Sequence, residues 1–115
     1  DLILRIRAGA YVLEMANPRH EHEWEEWKRA KMPDDKILIP GVITQSTVLV
    51  EHPELVAQRL GRFADVVGRE RVIAGADCGF ASFAGSNEVH PSIVWAKFKS
   101  LVEGARLASK QLWRQ

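Results

Sequence analysis

The chain has 115 residues, which is enough for one domain with a modest core. Hydrophobic residues make up 46% and charged residues 27%, as in soluble globular proteins, and a net charge of +1 gives no field that would attract nucleic acid or an anionic membrane. One cysteine cannot form an internal disulfide, and no apolar run approaches the roughly 20 residues of a membrane span, so we expect a reducing, cytoplasmic setting. The chain begins without methionine inside a helix-like run, DLILRIRAG, which favours a piece of a longer protein.

One unit recurs three times along the chain: a short apolar run, a turn, and a longer segment with helical periodicity. The apolar runs are the predicted strands AYVLEMA (10–16), KILIPGVI (36–43) and VIAGA (72–76). The helical segments are HEWEEWKRAK (22–31), HPELVAQRLGRFADVVG (52–68) and HPSIVWAKFKSLVEGARLASKQLW (90–113). Because the runs are apolar without alternation, they favour parallel strands covered on both faces, and therefore an α/β fold of the βαβαβα type.

Three local features refine this prediction. Pro40 and Gly41 predict a kink or bulge near the end of the second strand. His52 and His90 each precede a proline at a helix start and are predicted to be helix-entry residues, with either an N-cap or a loop role. The tryptophans are predicted to be packing residues, namely Trp24, Trp27, Trp95 and Trp113.

Parallel strands place their carboxyl ends on one edge of the sheet, where the chemistry of such folds gathers. Glu14, residues 41–46, and the pair Asp77 and Cys78 are therefore predicted to share this edge. The loop that follows is GFASFAGSN (79–87).

Glu14 and Cys78 each have two interpretations. Glu14 is either a carboxylate that pairs with an arginine such as Arg19, or a metal ligand or base, because a buried carboxylate is costly unless a cation or several donors meet it. Cys78 is either a small buried hydrophobic residue or, as a thiolate, a zinc ligand. By spacing alone these two residues do not define a zinc site.

The segment NPRHEHEWEEW contains His20 and His22, which lie two residues apart and would diverge on a helix. They do not form the HExxH arrangement, in which two histidines four apart share a helix face. The segment is either a polar loop with a charged helix start or a place of substrate contact, since it follows the strand of Glu14.

The sequence IPGVITQSTVLVEHPELVAQRLGRFADVVGRERVIAGADCGFASF, with YVLEMANPRHEHEW ahead of it, resembles the C-terminal catalytic region of cobalamin-independent methionine synthases. It looks most like their short single-barrel relatives, a group that includes epoxyalkane:coenzyme M transferase. The resemblance covers nearly the whole chain and implies the last three βα units of a TIM-type (βα)8 barrel, with residues 1–115 forming the C-terminal part of that single domain.

The resemblance also implies a zinc ion that activates a substrate thiol. Family members hold zinc with a His-x-Cys pair, a glutamate on the next strand and a cysteine near the last strand's end. The glutamate corresponds to Glu14 and the last cysteine to Cys78, whereas the His-x-Cys pair has no counterpart in this chain. Asp77 would contact the ligands without binding the metal itself, or hold the loop, and Gly79 would let the backbone turn sharply beside the metal. In the folate-dependent members a histidine proposed as an acid occupies the position of Ser46, and a hydroxyl cannot replace its proton transfer near neutral pH, so methyltetrahydrofolate is in doubt as the alkyl donor.

The leading hypothesis is therefore part of a zinc-dependent thiol alkyltransferase, acting on a small-molecule thiol and an alkyl donor, with Ser46, His20 and His22 as candidate substrate contacts. The alternative is a βα module without activity of its own, which needs missing strands or a partner chain and is prone to self-association through exposed sheet edges. A decarboxylase of the uroporphyrinogen type is a third interpretation that suits Glu14 and Cys78 less well.

Overall fold

The computed structural model describes residues 2–81, 84–86 and 88–114. Three parallel strands form one sheet in the order β1-β2-β3, with β1 at Ala10–Leu13, β2 at Ile37–Ile43 and β3 at Gly75–Ala76. Helix α1 (Pro53–Val67) follows β2, and helix α2 (Pro91–Trp113) follows β3. The predicted α/β fold with parallel strands and crossover helices is confirmed.

The register of the sheet explains why β2 is irregular near its end. Pro40, which has no N–H to donate, pairs with Leu13 at the last position of the β1–β2 ladder. Beyond that point β1 no longer faces β2, and the guanidinium of Arg59 on α1 donates instead to the carbonyl of Val42 at 3.0 Å. On the other side the pairing of β2 with β3 shifts register after Gly41, as the Pro-Gly pair predicted.

The third apolar run is strand over only part of the length predicted. A single bridge joins Val72 to Leu38, and regular pairing resumes only at Gly75–Ala76. A side chain on Gly75 would meet the Cγ2 of Ile39 at 2.8 Å, so the close approach of β3 to β2 requires glycine there. The first strand is likewise shorter than predicted and ends at Leu13, which leaves Glu14 just beyond it.

Helix α1 packs against both the sheet and α2. Its apolar positions recur with the helical period and are buried on one face, at Val56, Ala57, Leu60, Phe63, Ala64 and Val67. Burying each large side chain of this kind contributes about 1.5–3 kcal/mol. Of the two roles predicted for His52 and His90 the structure shows the N-cap, because the ring of His52 accepts from the backbone N–H of Glu54 at 3.1 Å and that of His90 from Ser92 at 3.2 Å. Neither helix is at once long and apolar enough, in the ranges described, to cross a membrane.

The opening helix was predicted wrongly. Apart from Asp1, which lies outside the described residues, the segment forms only a 3-10 turn at Ile3–Arg5, in which Ile3 is exposed and Leu4 packs only partly buried against the core. A short helix that buries so little apolar surface gains too little to offset the cost of nucleation.

The segment predicted as a helix at 22–31 is a 3-10 helix at Glu21–Lys28. Side chains three residues apart eclipse one another in this geometry, and Trp24 and Trp27 consequently pack against the same apolar cluster. Trp27 is 7% exposed, as expected of a packing residue. The prediction fails for Trp95, which is 71% exposed, and for Trp113, whose ring lies on the surface 3.9 Å from the guanidinium of Arg69.

Candidate functional site

Glu14 and Cys78 meet at the carboxyl edge of the sheet, although 64 residues separate them in sequence. Glu14 comes directly after β1 and Cys78 comes two residues after β3, so the two side chains reach across the end of the intervening strand. The thiol of Cys78 donates to the Oε1 atom of Glu14. Cys78 is exposed, which rules out its interpretation as a buried hydrophobic residue.

Asp77 fastens the ends of β1 and β3 together. It is buried, and its Oδ1 atom accepts from the backbone N–H groups of Met15 and Ala16 at 2.9 and 3.0 Å. Its Oδ2 atom accepts from the Nδ2 of Asn17 at 3.0 Å, and its own N–H donates to the carbonyl of Ile43 on β2. Asp77 therefore joins the ends of all three strands. It holds Met15, the residue after Glu14, and it directly precedes Cys78, so it fixes the positions of both side chains of the site.

Gly41 makes room for Asp77. A Cβ atom at position 41 would overlap the Oδ1 of Asp77 and would lie 2.8 Å from its Cα. The glycine of the PGV strand end is thus explained by the aspartate of the DCGF segment packed against it. Gly79, in contrast, does not adopt the left-handed conformation that favours glycine, although the backbone bends at residues 77–78 and 80–81 on either side of it.

The contact between Glu14 and Cys78 shifts the pKa values of both groups in opposite directions. The thiol that donates to Glu14 lowers the pKa of the carboxyl, with a smaller contribution from the amide of Asn17. The same hydrogen bond, together with burial and the negative charges of Glu14 and Asp77, raises the pKa of Cys78 to about 11. Without a cation at the site, Cys78 is therefore a protonated thiol at neutral pH.

His20 lies beside Glu14, whereas Arg19 does not pair with it. The Nε2 of His20 is 3.5 Å from the Oε2 of Glu14, and its Nδ1 is 2.9 Å from a carboxylate oxygen of Glu23. The hydrogen bond with Glu23 is the main cause that raises the pKa of His20. Arg19 acts on Glu14 only as a distant charge, so the interpretation of Glu14 as an arginine partner is wrong.

A cavity of about 830 Å³ adjoins Glu14 and His20. Its walls are apolar at Leu13, Met15 and Trp27, and polar at Glu14, His20 and His22. His22 is exposed and makes no contact with Glu14 or Cys78 among the described residues. The volume lies in the range of small-molecule sites. Substrate contact by His20 and His22 stays a prediction.

Ser46 belongs to the loop that follows β2. Its backbone N–H donates to the hydroxyl of Thr44 at 3.1 Å, and the two hydroxyl oxygens are 3.0 Å apart. Ser46 is exposed, and none of the contacts described joins it to Glu14 or Cys78. Its contact with substrate also stays a prediction.

A buried ion pair supports the same loop. Lys97 of α2 is 0% exposed and donates to the carboxylate of Glu51 at 2.9 Å and to the carbonyl of Leu49 at 2.8 Å. The second carboxylate oxygen of Glu51 accepts from the backbone N–H of Thr44 at 2.7 Å. The ion pair therefore ties α2 to the residue that leaves β2, which fixes the start of the loop carrying Ser46.

A carboxylate oxygen and a cysteine sulfur are both donors that zinc takes in four-coordinate sites. Glu14 and Cys78 fit such a site chemically, and Cys78 is accessible from solvent. Within residues 2–81, 84–86 and 88–114, no group of three or more His, Cys, Asp and Glu side chains is arranged to hold a metal ion. The described residues therefore offer two candidate ligands of the four that a zinc site takes.

Sequence reasoning missed the polar residues that hold the site together. Asn17 was not singled out, because an asparagine before a proline is typical of a loop and only the structure shows that Asn17 is buried between two carboxylates. Glu51 and Lys97 were missed because each stands in an ordinary helix-entry or helix pattern, and only the packing of α2 on the loop pairs them. The loop 79–87 includes residues 82, 83 and 87, which lie outside the described residues.

Comparison with known proteins supports the fold. No family model and no curated protein matches the chain. A solved structure does match, that of a B12-independent methionine synthase from Shewanella sp. W3-18-1 in complex with selenomethionine, with a TM-score of 0.80 and 19% sequence identity. The match covers 99% of this chain and 30% of that one. At this identity the likeness shows the fold, which is that of a partial TIM-type barrel as found within this methionine synthase.

Proposed function

We propose that this chain forms part of a zinc-dependent thiol alkyltransferase of the methionine synthase type, with Glu14 and Cys78 as two of the zinc ligands. The observation that carries the proposal is the direct contact between the Cys78 thiol and the Glu14 carboxylate at the carboxyl edge of the sheet. A carboxylate oxygen and a thiol sulfur lie side by side at the ends of two different strands, which Asp77 holds together. Such a pair of donors can bind one cation. The remaining ligands would come from outside residues 1–115.

When bound, zinc would deprotonate a substrate thiol and so supply a nucleophile for attack on an alkyl donor. This chain's residues would hold the ion and shape its surroundings. Cys78 would exchange its proton for the metal, and Glu14 would keep the carboxylate orientation it already has. Asp77 would fix the spacing of the two strand ends. The cavity beside Glu14 would take the organic part of a substrate, with His20 and His22 at its polar wall.

Ser46 bears on which alkyl donor is used. Its hydroxyl is engaged with Thr44 and does not titrate near neutral pH, so it supports no proton transfer to a departing folate. The proposal therefore extends to thiol alkylation in general and does not commit to methyltetrahydrofolate. A cytoplasmic setting is part of the same proposal.

The competing proposal is that residues 1–115 have no activity alone and act only with further strands or a partner chain. Two observations favour it. The part of the chain that the structure describes offers only two candidate metal ligands, and apolar side chains are exposed on β1, at Val12 (62%), and just before β3, at Ile73 (50%). In the described sheet β1 and β3 are edge strands, and open edges of this kind pair readily with other chains. Sedimentation of the chain over a range of concentrations tests the predicted self-association.

The proposal is tested by zinc affinity, measured by competition with a chromophoric chelator. The proteins are the 115-residue chain and the longest natural polypeptide that contains it, each with Glu14→Ala, Cys78→Ala and, as a control, Asp65→Ala on the exposed face of α1. We expect one zinc per longer polypeptide, lost with either ligand substitution and kept in the control, and weak binding by the 115-residue chain. Zinc binding that ignores both ligand substitutions would refute the assignment.

A further inference from the structure

Asn17 is buried at the centre of the candidate site and uses every polar atom of its side chain. The two N–H bonds of its Nδ2 atom point at two different carboxylates, the Oε2 of Glu14 at 2.9 Å and the Oδ2 of Asp77 at 3.0 Å. Its Oδ1 atom accepts from the backbone N–H of Arg19 at 3.0 Å. This arrangement determines the orientation of the amide, because a flipped amide would turn its oxygen toward two carboxylates and its nitrogen toward an N–H.

The two oxygens of Glu14 consequently have different surroundings. Oε2 receives the amide of Asn17 and lies near the ring of His20. Oε1 faces the thiol of Cys78. Because Asn17 holds Oε2, Oε1 is the oxygen of Glu14 that can bind the same metal ion as the sulfur of Cys78.

We infer that Asn17 is a positioning residue that holds the Glu14 carboxylate by Oε2, so that Glu14 presents Oε1 alone toward Cys78 and binds a metal through one oxygen. This inference rests on the proposed zinc site and adds to it the residue that decides how Glu14 coordinates. Carboxylate ligands of metals are commonly hydrogen-bonded by such outer partners, and loss of one typically costs 10–100-fold in metal affinity. Asp77, which accepts the second N–H of the same amide, links this orientation to the segment that carries Cys78.

The first arm of the test uses the metal-free chain and needs no zinc. In ¹H–¹⁵N spectra, the side-chain amide protons of Asn17 should exchange slowly with water and should shift on Glu14→Ala. Gln58 is an exposed amide on α1 and serves as the internal control, whose protons should exchange freely and stay unchanged. Asn17 amide protons that are indifferent to Glu14→Ala would overturn the inference.

The second arm measures zinc affinity for Asn17→Ala and the matched Gln58→Ala variant in the polypeptide that binds zinc. We expect a 10–100-fold loss for the first and less than about threefold change for the second. The absorption spectrum of the cobalt-substituted protein distinguishes a change in coordination from a loss of stability. In Asn17→Ala the charge-transfer band of the Cys78 thiolate should persist. The d–d bands should change, because Glu14 becomes free to coordinate through both oxygens. If Asn17→Ala does not fold, Asn17→Ser gives the same comparison, because its hydroxyl can still accept from the N–H of Arg19.

The outcomes separate the two proposals. Zinc binding that needs Glu14 and Cys78 but is unchanged in Asn17→Ala would refute the role of Asn17 and leave the zinc site standing. Absence of zinc binding in every protein would refute the metal site, and the first arm would then decide by itself whether Asn17 holds Glu14.

Discussion

Replacement of Asp77 tests whether the three strand ends are held by one carboxylate. Asp77→Ala removes the acceptor of two buried backbone N–H groups, those of Met15 and Ala16, and of one N–H of Asn17. Asp77→Asn keeps an oxygen for the two backbone groups but turns an NH₂ toward the NH₂ of Asn17. The two variants should therefore lower the free energy of unfolding by different amounts.

The magnitude follows from these contacts. A buried donor left without a partner costs about 1–3 kcal/mol, so two orphaned backbone N–H groups predict a loss of about 4 kcal/mol in the free energy of unfolding for Asp77→Ala. In Asp77→Asn, neutral acceptors replace charged ones and one hydrogen bond is lost, which predicts about 2 kcal/mol. Either loss is large against the 5–15 kcal/mol that stabilises a typical domain.

Urea denaturation followed by tryptophan fluorescence measures these losses, and an unchanged m-value shows that the comparison concerns stability alone. Asp65→Ala is the matched control, because Asp65 is an exposed aspartate on α1 and its loss should change stability by less than about 0.5 kcal/mol. If Asp77→Ala costs no more than this control, the fastening of the strand ends by Asp77 is refuted.

Gly41→Ala probes the same packing from the opposite side. Its added Cβ would meet the carboxylate and the Cα of Asp77, so we expect a loss of about 1–3 kcal/mol. Gly9→Ala is the control, because a Cβ there meets no atom within 4 Å. The loss should be smaller when Gly41→Ala is made in Asp77→Ala, since the carboxylate is then absent. Additive losses would contradict this account.

Three further predictions concern the helices and the thiol. Gly61→Ala adds a Cβ that meets open space and should stabilise the chain by about 1 kcal/mol, because alanine has the higher helix propensity. Gly104→Ala adds a Cβ that collides with the facing helix and should lower the free energy of unfolding by about 1 kcal/mol in the same urea assay. Equal effects of the two substitutions would refute the close helix contact. Lys97→Met leaves a buried carboxylate without its cation and should cost about 3–5 kcal/mol by thermal or urea unfolding, and a loss below about 1 kcal/mol would contradict the buried pair. In metal-free protein, iodoacetamide should alkylate Cys78 roughly tenfold more slowly at pH 8 than it alkylates a thiol with the ordinary pKa of 9.0. A pKa of about 11 lowers the thiolate fraction about 100-fold, and the more basic thiolate is in turn about tenfold more reactive. The rate should be half-maximal near pH 11, and Glu14→Gln should accelerate it at pH 8; a half-maximal rate near pH 9 would contradict the shift.

The resemblance and the local pattern led to the same two residues for a physical reason. Apolar runs without alternation indicate parallel strands, and parallel strands bring their carboxyl ends to one edge. Glu14 and Cys78 both follow such runs, so their meeting at this edge follows from the order of elements. Prolines at the helix starts and the capping histidines are local signals as well, and both were predictable.

What the sequence by itself determined is thus the βα order, the direction of the strands and the residues at their ends, because each depends on periodicity and on neighbours along the chain. Only the tertiary structure decided that Asp77 binds the end of β1, that Gly41 must lack a side chain, and that Asn17 joins two carboxylates. Asp77 lies 62 positions from Met15, 60 from Asn17 and 36 from Gly41 in the sequence, so its contacts depend on strand register, on the bulge in β2 and on where β1 stops. The exposure of Cys78 belongs to the same class, since burial depends on which segments pack above a residue and not on the residues beside it.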